Sequence, residues 1–346
     1  MLDRTTAPAA RPRALLALDP DLRDRLFPPD LLARLDKLVD LADPVVTDYG
    51  RPGAQDLLAG TEVLVTGWGA PPLDTAALEA APRLRVVVHA AGSVKEGGIC
   101  PQVWDRGIRV SSAAEANAWP VAQYTLAVIL LAGKRAFHLA ARAAEGDFRS
   151  CPPDTGTGNA DRTVGVVGAS RIGRLVLEQL SAHGFRLLVA DPYLSEADAK
   201  LLGAEPTGLD DLMARSDVVT LHAPLLAETR RLVDDRRLGL MRAGAVLVNT
   251  GRGGLVDTEA LVRHCTGFPG RDGRIDAVLD VTDPEPLPRH HPLFALPNVF
   301  VTPHVAGALG SEIRRLGAFA VDEVERWLTG RPLVGLVEAR DLARIA

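Results

Sequence analysis

Three polar islands interrupt apolar runs in the second half of this 346-residue chain. Val246-Leu247-Val248 leads into Asn249-Thr250-Gly251-Arg252-Gly253-Gly254-Leu255-Val256-Asp257. Leu279-Asp280-Val281-Thr282-Asp283-Pro284-Glu285-Pro286 packs carboxylates between prolines, and Val301-Thr302-Pro303-His304-Val305-Ala306-Gly307 ends a further apolar run on a histidine. A glycine-flanked arginine at a strand end suits bidentate capture of a carboxylate, and Asp257 can cap the helix that follows. Histidine can give or take a proton near neutral pH, and a carboxylate beside it, Glu285, would favour the protonated ring and fix its tautomer. Taken singly, each has a plain alternative: a surface arginine in a turn, a structural histidine, a solvated glutamate. Together they suit hydride chemistry at a carbonyl. A hydride delivered to a carbonyl carbon requires a proton for the oxygen and a cation to orient the substrate, and His304 and Arg252 supply both.

The hydride donor has its own signal upstream. Residues 162–173, Arg-Thr-Val-Gly-Val-Val-Gly-Ala-Ser-Arg-Ile-Gly, read as a β-branched strand, a small-residue turn and the start of an amphipathic helix. Such a unit lets a dinucleotide pyrophosphate approach the backbone at a helix N-terminus. Asp191 follows Gly173 by 18 residues, at the end of the next apolar run. A carboxylate there accepts hydrogen bonds from an adenosine ribose and repels a 2′-phosphate, which favours NAD over NADP. Ser170 departs from the fingerprint, whose middle glycine keeps a β-carbon off the pyrophosphate.

Composition bounds the rest. The chain is 47% hydrophobic and 24% charged, a globular balance, and its length suits two domains. A net charge of −5 argues against a partner bound through nucleic-acid phosphates. Cys100, Cys151 and Cys265 are far apart and form no CxxC pair, so neither a disulfide framework nor a metal site is suggested, and a cytoplasmic location is expected. Residues 1–13 lack the apolar core of a secretory signal. The longest apolar run, 121–132, is broken by Gln123, Tyr124 and Thr125 and is too short to span a bilayer; it reads as a buried helix.

Strands at 14–18, 45–47, 62–66, 85–90 and 107–111 alternate with helices at 30–41, 55–58 and 74–80, which implies right-handed crossovers and a parallel sheet. One long helix is expected over 117–137, with Pro120 in its first turn. A loose connector, 146–161, precedes a second alternation: strands at 163–167, 186–190, 218–221, 245–249, 277–281 and 298–302, with helices at 171–183, 195–202, 235–240 and 257–264. Six strands suit a complete doubly wound dinucleotide fold. Residues 268–272 read as a loop insertion and 310–330 as a terminal amphipathic helix.

From about residue 84 to 307 the chain resembles the D-isomer-specific 2-hydroxyacid dehydrogenases, most strongly in 164–173, 218–225 (Val-Val-Thr-Leu-His-Ala-Pro-Leu), 240–261 and 278–307. The resemblance implies an α/β protein with a Rossmann-type NAD-binding domain, 116–305, inserted into a flavodoxin-like substrate-binding domain, 1–115 plus 306–346, and an active site between them. It implies Arg252 as the substrate-binding arginine, Glu285 as the carboxylate paired with the base, and His304 as the general acid/base. Gly168, Ser170, Arg171, Ile172, Gly173, Asp191, His222, Ala223, Thr250 and Gly251 become cofactor-binding positions, with Asp280 meeting the nicotinamide carboxamide. The turn at Gly92 and Ser93 would hold the substrate carboxylate through its amides. The long helix resembles the one such proteins use in a two-fold dimer, so a homodimer is expected.

The expected reaction is reversible NADH-dependent reduction of a small 2-oxo acid to a D-2-hydroxy acid. Alternatives on the same scaffold are a formate- or phosphite-type dehydrogenase and a non-catalytic NAD-sensing regulator. Lys95 stands where many relatives carry an acid; it is either a solvated lysine or a cation for a second anionic group on the substrate. Trp119 and Phe148 are candidates for a pocket or for the dimer contact, with core packing beside the long helix as the plain alternative.

Overall fold

Alternating side chains along the first strand already show the architecture. Ala14, Leu16 and Leu18 enter one apolar cluster while Leu15 and Ala17 enter another, as the two-residue period of a strand buried on both faces requires. The computed structural model describes residues 10–95, 97–147, 157–267 and 275–345. Phe148, Cys151, the middle of the connector and the 268–272 loop lie outside them.

The chain divides into two compact units, Met1–Asn117 with Ala308–Ala346, and Ala118–Gly307. In the first, β1 (Arg13–Ala17), β2 (Asp40–Leu41), β3 (Val63–Thr66), β4 (Val86–His89) and β5 (Arg109–Ser112) form a wholly parallel sheet in the order β2-β1-β3-β4-β5. That is the flavodoxin-like order. In the second, β6 (Thr163–Val167), β7 (Arg186–Ala190), β8 (Glu205–Pro206), β9 (Val218–Leu221), β10 (Val246–Asn249), β11 (Asp276–Leu279) and β12 (Val299–Val301) pair in the order β12-β11-β10-β9-β6-β7-β8. All of these pairings are parallel as well. Here too the apolar strands divide between two clusters, Leu247 facing one and Val246 and Val248 the other. Each fully buried Leu or Val contributes about 1.5–3 kcal/mol through desolvation.

Several elements differ from expectation. The second strand is Asp40–Leu41 and not 45–47, because the helix before it, Pro29–Leu38, ends earlier than its periodicity suggested; Val46 makes only an isolated bridge to Ala17. A helix at Pro20–Leu26, capped by Asp19, went unforeseen. The two-residue β8 adds a seventh strand to the second sheet. The long helix starts at Ala114, which moves Pro120 beyond the first turn, and it stops at Gly133. Arg135 then takes φ 52°, and a second helix, Ala136–Ala144, departs at 66°. Among the described residues no single helix is long and apolar enough to cross a membrane.

Candidate active site

Every polar island of the second unit leaves its sheet at the carboxyl edge, so spatial strand order arranges the chemistry. From one side of the edge to the other lie His304 after β12, Asp280 and Glu285 after β11, Arg252 after β10, His222 after β9, the Gly168 turn after β6 and Asp191 after β7. With strands about 4.8 Å apart, β10 to β12 span about 10 Å of edge. The order in which strands are added to the sheet reverses between β6 and β9, the place where open α/β sheets bind ligands.

The Gly168 turn is built for close approach. Gly168 has φ 92°, and a β-carbon on it would lie 2.6 Å from the Ala223 amide nitrogen; one on Gly173 would lie 2.0 Å from the Gly168 carbonyl oxygen. Ser170 is the N-cap of the helix Arg171–Ser181, its hydroxyl accepting the Gly173 amide at 3.4 Å. The serine that departs from the glycine fingerprint therefore has a capping role. Asp191 accepts the Ala169 amide at 2.7 Å and the Tyr193 amide at 2.7 Å, which fixes its carboxylate beside the turn with lone pairs remaining for hydroxyl donors. A bare small-residue turn at a helix N-terminus beside a fixed carboxylate fits a dinucleotide. His222 lies under the turn, 4% exposed, with Nε2 2.9 Å from Thr220 Oγ1, and burial pushes its imidazolium pKa down to about 3. Thr250 is also buried, its hydroxyl 2.8 Å from that of Thr125.

Arg252 is displayed by a clamp that its neighbours create. The buried Asn249 accepts the Gly251 amide at 3.1 Å and donates from Nδ2 to the Arg252 carbonyl at 3.0 Å. The guanidinium donates to the Gly251 carbonyl at 2.8 Å. Asp257 caps the helix Thr258–Thr266 through the Ala260 amide.

His304 and Glu285 meet directly, Nδ1 to Oε1 at 2.6 Å, with side chains 48% and 41% exposed. An Nδ1–H donated to the carboxylate leaves Nε2 as the atom that faces outward for proton exchange. The backbone carrying His304 is held by Asp280, which is 2% exposed. Its Oδ1 accepts from Thr302 Oγ1 at 2.6 Å and the Val305 amide at 2.8 Å; Oδ2 accepts the Ala306 amide at 2.9 Å. Since Thr302 donates to Asp280, the Tyr124 hydroxyl, 2.8 Å away, donates to Thr302. Burial raises the Tyr124 phenol pKa, against a smaller opposing effect of the Thr302 hydrogen bond. Sequence reasoning gave Asn249, Tyr124 and Thr302 no part in the site, although the break in the apolar run at Tyr124 was the available signal.

Gly92, Ser93 and Lys95 belong to the other unit, in the loop after β4. Ser112 Oγ donates to the Gly92 carbonyl at 2.8 Å. Beneath the loop, buried His89 bonds Thr66 Oγ1 through Nδ1 at 2.8 Å and the Ser93 backbone, and burial lowers its pKa to about 4. Lys95 is exposed and donates from Nζ to the Ile345 carbonyl at 2.6 Å.

A parallel α/β chain with a dinucleotide-type turn at the reversal of its second sheet is, by class, a Rossmann-type NAD-binding protein. Residues 126–306 match the family described as D-isomer specific 2-hydroxyacid dehydrogenase, NAD binding domain. A glyoxylate reductase of Aeropyrum pernix is 34% identical over 281 residues, covering 79% of this chain and 82% of that one. A D-3-phosphoglycerate dehydrogenase of Mycobacterium bovis is 36% identical over 259 residues, 75% of this chain and 48% of that one, so the chain spans about half the length of this relative. The apo D-mandelate dehydrogenase of Rhodotorula graminis superposes with a TM-score of 0.79 at 23% identity, over 94% of this chain and 97% of that one, a likeness of fold. The chain belongs to the D-isomer specific 2-hydroxyacid dehydrogenase family.

Proposed function

We propose that the chain is an NAD(H)-dependent reductase that converts a 2-oxo acid to a D-2-hydroxy acid. The observation that carries the reading is the His304–Glu285 pair at 2.6 Å on the same sheet edge as Arg252 and the Gly168 turn. Arg252 anchors the substrate's carboxylate and carbonyl oxygen. A reduced nicotinamide cofactor held at the Gly168 turn would supply the hydride for the carbonyl carbon. His304 donates the proton from Nε2 to the developing alkoxide, and Glu285 stabilises the imidazolium and holds the ring's orientation. Asp191 favours NAD over NADP, because a 2′-phosphate would bring like charge against a carboxylate already fixed by two amides.

Spectrophotometric NADH oxidation against glyoxylate, hydroxypyruvate, pyruvate and bulkier 2-oxo acids tests the reading. Turnover is expected, and His304→Ala is expected to lower kcat by about 10²–10⁴; near-normal turnover in that variant removes His304 from the acid role. A two-fold dimer through the 117–137 region is part of the proposal, supported by the exposed Trp119 and Leu131 on the helix Ala114–Gly133. Sedimentation equilibrium should return twice the chain mass.

A further inference from the structure

We propose that Thr258 is a positioning residue for the Glu285–His304 pair, acting through the backbone of the loop that carries Glu285. This rests on the reductase reading above and adds to it a residue that works through another. The imidazole and the carboxylate are each nearly half-exposed, so packing alone does not hold their geometry. The loop after β11 has few means of holding itself. Pro284 and Pro286 carry no amide hydrogen, which leaves carbonyl oxygens as points of attachment. Two of these are taken by threonine hydroxyls: Thr258 Oγ1 donates to the Asp283 carbonyl at 2.7 Å, and Thr282 Oγ1 to the Pro284 carbonyl at 2.8 Å. The Thr282 bond lies within the loop. The Thr258 bond ties the loop to the helix Thr258–Thr266.

A hydroxyl at the start of a helix would ordinarily serve as its cap. Here Asp257 is the cap, accepting the Ala260 amide at 3.0 Å, so Thr258 is not needed for that role. The same short segment meets the loop a second time at Gly253. A β-carbon on Gly253 would lie 1.9 Å from the Thr282 carbonyl oxygen and 2.6 Å from the Thr282 α-carbon, so the two backbones are in direct contact. Thr282 in turn presents its amide to Glu285 Oε2 at 3.4 Å, while Oε1 meets His304 Nδ1 at 2.6 Å. Residues 252–258 therefore carry the proposed substrate arginine at one end and the seat of the Glu285 loop along the rest. One continuous stretch fixes Arg252 and the acid-base pair relative to each other. Arg230 also pairs with Asp283, at 3.0 Å, but that pair is open to solvent, which screens it. The part-buried hydroxyl bond is the firmer anchor.

The test is steady-state reduction of glyoxylate, hydroxypyruvate and pyruvate by the full chain with NADH or NADPH. Thr258→Val removes the hydroxyl and nearly keeps the shape; it is expected to lower kcat about three- to tenfold, the scale of one lost hydrogen bond. Thr258→Ala should show the same loss, and Thr258→Ser should restore most of the rate. Cofactor binding, followed by fluorescence, should match the wild type in all three variants, which separates lost positioning from lost fold. In a Glu285→Gln background Thr258→Val should cost nothing further, because the carboxylate to be positioned is gone. Unchanged kcat in Thr258→Val and Thr258→Ala, an equal loss in Thr258→Ser, cofactor binding that falls in step with kcat, or a full additional loss beside Glu285→Gln each overturns the inference and leaves the reductase reading standing. No turnover of any 2-oxo acid by the wild type removes both.

Discussion

His304 holds φ 55°, a left-handed backbone that costs a non-glycine residue on the order of 1–3 kcal/mol. The surroundings impose it: the His304 amide donates to the Asp280 carbonyl at 2.9 Å and contacts the Thr302 carbonyl at 3.0 Å, while the Asp280 carboxylate takes the next two amides. The backbone bend aims the ring at Glu285. Arg252, Glu285 and His304 stand out in the sequence as candidates because their types are unusual at the ends of apolar runs. Asn249 was not, since an asparagine before a glycine turn looks the same whether it faces solvent or clamps the turn. Asp191 carries a prediction at this scale. Asp191→Ser should raise the NADPH-to-NADH ratio of kcat/KM by about tenfold, roughly 1.4 kcal/mol, by removing like charge from the 2′-phosphate. Initial rates with both cofactors at fixed 2-oxo acid measure it, and an unaltered ratio would place cofactor choice elsewhere.

At the scale of elements, the helix Ala114–Gly133 does more than fill the core. Tyr124, half-buried on it, reaches the Thr302 hydroxyl beyond β12, and Thr125 reaches the Thr250 hydroxyl beyond β10, so the helix is bonded to side chains beyond the carboxyl ends of both strands. The Tyr124, Thr302 and Asp280 chain should behave as a unit. Tyr124→Phe, which removes one hydrogen bond of about 1 kcal/mol, is expected to lower kcat about 3- to 10-fold, and Thr302→Val, which removes two, at least as much. The double variant should be no worse than the poorer single variant; full additivity in a double-mutant cycle would show that the bonds act separately. The helix itself was legible from its apolar run. Its end was not, because no proline or glycine follows Gly133 at the turn, where Arg135 pairs with Asp276 at 3.7 Å and Phe137 stacks on Phe300 at 4.2 Å.

At the scale of the molecule, each unit buries a neutral histidine: His89 in the first, with its pKa lowered to about 4, and His222 in the second, lowered to about 3, in both cases by burial. An unfolded histidine titrates near 6.5. Between that value and the folded ones the unfolded chain binds more protons, so stability is full above about pH 6.5 and falls as pH drops toward 4, by a few kcal/mol for each group. Urea unfolding at pH 7.5 and 5 should show the loss, and His222→Asn should flatten the dependence; an equal slope in that variant would discard the assignment. The sequence by itself determined the two α/β alternations and marked the glycine-containing turn and the candidate acid-base residues, because strand burial and chemical type are written in local pattern. It did not determine which strand ends become neighbours. That order, β12-β11-β10-β9-β6-β7-β8, comes from non-local pairing. It is what brings Asp280 under the His304 loop and Glu285 to its ring. The flavodoxin-like order of the first sheet likewise sets Thr66, at the end of β3, against His89, at the end of β4, because adjacency across a sheet depends on packing both faces at once and on crossovers that no local stretch of chain encodes.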